Sequence, residues 1–91
     1  MKHAGQDALD RLEPLLKQLR QRGVLKEKSR GSFYRAGRAF LHFHEHGREF
    51  FADLRVGDDF VRLAASSAAE RKILLARVDA LIADGSLVRP R

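Results

Sequence analysis

The 91-residue chain contains no cysteine. That excludes a disulfide framework, a thiol nucleophile and every cysteine-ligated zinc site. No run approaches about 18 uncharged apolar residues, so a membrane-spanning helix is excluded and no membrane partner is expected. The opening Met1-Lys2-His3-Ala4-Gly5 leads into Asp7 and Asp10 without an apolar stretch, which predicts no signal peptide and a cytoplasmic domain. Internal repeats and low-complexity tracts are missing. So are catalytic motifs. Lys28-Ser29 resembles the end of a phosphate loop, but Glu27 stands where glycine must bring the backbone to the phosphates. Ser32 follows Gly31 without a nucleophile-elbow pattern. No catalytic residue and no cofactor is expected.

What is present describes a folded binding domain. The hydrophobic content of 44% is too high for a disordered chain. A single domain spanning residues 1–91 is expected. Such a chain buries only roughly 60–65% of its unfolded surface, so a second copy would help it. The net charge of +6 is unevenly placed. Residues 17–38 carry eight cations against Glu27 alone, while the segments on either side are close to neutral. That concentration suits a phosphate-rich or acidic partner, DNA or RNA among them. Lys26, Lys28, Arg30, Arg35 and Arg38 are the candidate phosphate contacts, and the alternative is a solubilising surface.

The pattern predicts an α+β fold in the order α-β-β-β-α. Leu9, Leu12, Leu16 and Leu19 mark a helix over about residues 7–22, with Pro14 as a kink or a start and Gly23 as its C-cap. Residues 26–32 read as a polar loop. Strands are expected over about residues 33–44, 49–56 and 60–64, forming a three-stranded antiparallel meander. A turn at His46-Gly47 pairs Phe43 with Phe50, Leu41 with Ala52 and Ala39 with Leu54; one at Gly57-Asp58 pairs Leu54 with Val61. Ser67 and Glu70 have capping-box spacing at the start of a helix over about residues 67–84. Both helices are expected on the Phe43/Leu54/Val61 face, and residues 86–89 as a short edge strand.

The opposite face then carries Phe40, His42, His44, Phe51, Asp53, Arg55, Phe60 and Arg62. Three phenylalanines on a face turned to solvent need a reason. One is a homodimer interface through Phe40, Phe51, Phe60 and Arg62. Another is a platform on which exposed bases stack between arginines. Histidines at i and i+2 on a strand point the same way, so His42, His44 and Asp53 are candidate metal or small-ligand contacts; the alternative is structural histidines, with His44 bonded to Glu49.

The α-β-β-β-α order resembles that of double-stranded-RNA-binding domains, in topology only. Where that family opens its second helix with a lysine-rich phosphate clamp, this chain has Ser66-Ser67-Ala68-Ala69-Glu70-Arg71-Lys72. The stretches Gly31-Ser32-Phe33-Tyr34-Arg35, Arg38 to Glu45 and Phe51 to Arg55 are similar to small bacterial proteins without an assigned activity, a resemblance that implies a stand-alone intracellular domain and transfers no functional residue. The expectation is a small basic interaction module, a homodimer through the second sheet face. Nucleic-acid binding through residues 17–38 is the alternative, and a metal or small ligand at the histidine strand a third reading.

Overall fold

Leucine spacing builds the first large element. In the computed structural model, which describes residues 1–84, a two-residue strand, β1 (Lys2–His3), precedes helix α1 (Gln6–Arg20). Leu12, Leu15, Leu16 and Leu19 are at most 1% exposed, and each such burial contributes roughly 1.5–3 kcal/mol. Pro14 lies inside the helix rather than at its start. It removes one backbone bond, and the packed leucines on both sides hold the helix through it. Gly23 is not the C-cap. Gln21 takes that place in a right-handed conformation, its N–H turning back to the Gln18 carbonyl.

The sheet is larger than the sequence pattern predicts. Strands β2 (Leu25–Ser29), β3 (Ser32–Arg35), β4 (Arg38–His46), β5 (Glu49–Val56) and β6 (Asp59–Ala64) form an antiparallel meander in chain order. β1 adds to the free end of β4, pairing His3 with His44. Residues 26–32 are therefore mostly strand, not loop, and the expected first strand divides at an Ala36-Gly37 turn. With five meander strands, the likeness to the double-stranded-RNA-binding topology ends.

Helix α2 (Ala68–Ala83) starts where the capping box places it: the Ser67 hydroxyl accepts from the Glu70 N–H, and the Glu70 carboxylate accepts from the Ser67 N–H. Both helices cover one face of the sheet. Leu74 and Val78 of α2 join the α1 leucines over Phe33, Leu41, Phe43, Ala52 and Leu54. Arg22, just past α1, holds Asp79 of α2 at 2.8 Å, which ties the two helices together. The expected strand at residues 86–89 lies outside the described residues.

Two turns decide the registers. Val56 pairs with Asp59 across Gly57-Asp58, so Leu54 meets Val61 as the alternation predicts. Between β4 and β5, however, His46 pairs with Glu49, and the turn is Gly47-Arg48. Gly47 has φ +60°, a conformation glycine adopts without steric cost, and it takes the first turn position. Every expected pair therefore slips: Phe43 meets Ala52, Leu41 meets Leu54, His44 meets Phe51, and His42 meets Asp53. A slip of two residues on the partner strand preserves the faces.

Candidate functional site

Among the described residues, the helices leave the other face of the sheet bare. His42 and His44 lie on it from β4, Phe51, Asp53 and Arg55 from β5, and Phe60 and Arg62 from β6. Tyr34 and its strand partner Lys26 continue the face across β3 and β2, with the Lys28 ammonium 4.2 Å from the Tyr34 ring centre. Glu27, between those lysines, points the other way and binds Arg20 of α1.

Asp53 is the centre of the face. The pairs His42–Asp53 and Asp53–Arg62 set a histidine, the carboxylate and a guanidinium side by side on three strands. Arg62 donates to both carboxylate oxygens, Nε at 2.7 Å and Nη2 at 2.9 Å. That pairing holds the Asp53 carboxyl below its usual range, against the opposing effect of burial. On the other side, Oδ2 lies 3.0 Å from His44 Nε2 and 3.4 Å from His42 Nε2. Burial pushes the His42 imidazole below its ordinary pKa, and the attraction of Asp53 does not reverse it. The approach of His44 is close but badly directed: both of its ring nitrogens are buried and neither has a hydrogen-bond partner among the described residues.

Three more side chains frame this group. The His3 ring stacks on His44 with centroids 4.6 Å apart. Phe60 meets His42 in a T-shaped contact at 5.1 Å and takes the Arg55 guanidinium over its ring at 4.6 Å. A groove of about 380 Å³ runs past His3, His42, Tyr34 and Ser32. His3 and Tyr34 escape sequence reasoning as members of this surface, because a two-residue strand has no periodicity and Tyr34 precedes an unforeseen turn.

The structure places the other candidates differently. Phe40 is not on the bare face. The β3–β4 register passes from Phe33–Leu41 to Tyr34–Ala39, which leaves Phe40 as the extra residue of a bulge. It is 3% exposed within the helix-side core. Arg35 packs over its ring and donates to the Ile82 carbonyl of α2, and burial holds that guanidinium below its ordinary pKa. Arg30 is bound to Asp10 and Glu13 of α1, and Arg38 lies 3.5 Å from Asp58. His44 approaches Asp53, not Glu49, which pairs with His46.

Folding thus pairs several cations of residues 17–38 with carboxylates from elsewhere in the chain. Arg20 bridges Glu13 and Glu27, and with Arg30 it holds the Glu13 carboxyl down to about 2. Arg22 is spent on Asp79. Lys26 and Lys28 stay exposed, both on the bare face.

No helix among the described residues is long and apolar enough to cross a membrane. No protein-family model, no curated protein and no solved structure matches the chain.

Proposed function

We propose that the chain is a non-catalytic, cytoplasmic binding module that holds single-stranded nucleic acid against the bare face of its sheet. The observation that carries this reading is the placement of charge: on the helix side Arg20, Arg22 and Arg30 are paired with carboxylates, whereas Lys26 and Lys28 flank Tyr34 and Arg55 covers Phe60 on the uncovered side. Cations track phosphates and aromatic faces stack on bases, a combination suited to single strands of either DNA or RNA. The groove beside Tyr34 has the volume of a small-molecule site and can accept one base. Fluorescence-anisotropy titration with labelled single-stranded and duplex DNA and RNA tests the reading. Salt-sensitive binding with a single-strand preference is expected. Absence of binding at low salt refutes it.

A homodimer through the same face is the second reading, and Phe60, 39% exposed there, favours it. An isologous pairing of the whole face would set Lys26, Lys28 and Arg55 of one copy against a face carrying the same three cations, which argues for the nucleic acid first. Sedimentation of the wild type beside Phe60→Asp separates the two. A dimer lost in the variant would support self-association, and a monomeric wild type would end that reading.

A further inference from the structure

We infer that His42, His44 and Asp53 bind one divalent transition-metal ion. Their ligand atoms all lie within 4.8 Å of one another. Tetrahedral coordination with bonds of about 2.0–2.1 Å separates neighbouring donors by about 3.3–3.4 Å. Asp53 Oδ2 is 3.4 Å from His42 Nε2 and 3.0 Å from His44 Nε2, so two edges of such a polyhedron are already near chelating length.

Hydrogen bonding does not account for the same atoms. His44 is 8% exposed, and both its ring nitrogens lack a hydrogen-bond partner among the described residues. A nitrogen 3.0 Å from a carboxylate oxygen yet out of line for a hydrogen bond is what two ligands of one ion look like. Buried polar atoms are nearly always satisfied, and a metal in the space between these donors satisfies the orphaned His44 Nε2.

The surroundings support the same chemistry. Arg62 grips both oxygens of Asp53 and fixes the carboxylate plane, the outer-shell role that orients a metal ligand. An ionised carboxylate has about four lone-pair positions, so those two bonds leave room for a metal bond at Oδ2. His3 over His44 and Phe60 against His42 shield the group, and His42 also lines the neighbouring groove.

Two imidazoles and one carboxylate are borderline ligands, suited to zinc, cobalt or nickel rather than to magnesium or calcium. Because Arg62 already balances the charge of Asp53, the site suits moderate rather than tight affinity.

The test is a titration of tag-free protein with Co²⁺, read by visible d–d absorption, and with Zn²⁺ by calorimetry. One ion per chain is expected, with Zn²⁺ displacing the cobalt spectrum. His44→Gln and Asp53→Asn each weaken binding by at least about tenfold, while His46→Gln, at the exposed end of the same strand, binds as the wild type does. Circular dichroism confirms that each variant folds, and the wild-type titration needs no variant. The proposal is overturned if neither ion binds the wild type at micromolar concentration, or if His44→Gln binds undiminished. Loss of binding in His46→Gln alone would also overturn it, by moving the ion elsewhere. No nucleic acid enters the assay, so its outcome is independent of the binding reading above.

Discussion

If single-stranded nucleic acid lies on the bare face, the salt dependence of binding should report the cations that face it. Arg62 is compensated by Asp53, which leaves Lys26, Lys28 and Arg55 as the phosphate contacts. For single strands each neutralised phosphate adds about −0.7 to the slope of log K against log salt, so three contacts give a slope of about −2. Between 50 and 200 mM salt the affinity should then fall roughly twenty-fold. The triple variant Lys26→Gln/Lys28→Gln/Arg55→Gln should bind weakly at both concentrations, with a slope reduced to about zero. Lys17→Gln, on α1, should keep the wild-type slope. Anisotropy titrations at several salt concentrations measure all three proteins. Circular dichroism must accompany them, because Arg55 also donates to the Ala39 carbonyl and packs on Phe60. A triple variant with an unchanged slope would show that the bare face does not carry the phosphates. A Lys17→Gln variant that loses about one contact would put them on the helix side instead.

Three further outcomes test the architecture. Gly31→Ala should lower stability by about 1–2 kcal/mol, the cost of placing a side chain in the left-handed region: Gly31 has φ +80°, and a Cβ there would come within 2.6 Å of Leu9 Cδ2. Thermal melting reads the loss; an unchanged midpoint would mean that the Arg30-Gly31 turn is otherwise formed. Ala36 holds φ +51° ahead of Gly37, so Ala36→Asn, matching the preferred Asn-Gly turn, should raise stability by about 0.5–1 kcal/mol in a urea titration. Acid should loosen α1 from β2. Arg20 and Arg30 hold Glu13 near 2, below its unfolded value, so this contribution is complete above about pH 4.5 and fades as pH falls towards 2. In Glu13→Gln, thermal midpoints measured from pH 6 to pH 2 should fall less steeply than in the wild type; parallel curves would contradict the assignment.

What the sequence discloses and conceals has specific physical causes. Both helices, the strand over Glu49–Val56 and the assignment of faces follow from periodicity, which survives a slip of two residues. β2 stays hidden because an edge strand needs little apolar surface: Leu25 is buried, and Lys26-Glu27-Lys28 has no hydrophobic alternation. Phe40 is misplaced because alternation assumes an unbroken ladder, and a bulge turns that residue to the helix side. The basic run looks like a stripe because its balancing carboxylates come from elsewhere in the chain: Asp10 and Glu13 on α1, Asp79 on α2. The metal candidate turns on a finer point. His42, His44 and Asp53 can be nominated from residue type and strand parity, but the pairing expected from a His46-Gly47 turn sets His42 opposite Phe51. Moving Gly47 to the first turn position brings Asp53, already beside Arg62 through the Gly57-Asp58 hairpin, directly across from His42. The cluster therefore depends on where one glycine sits in one hairpin, which binary patterning leaves undetermined because both registers bury the same face.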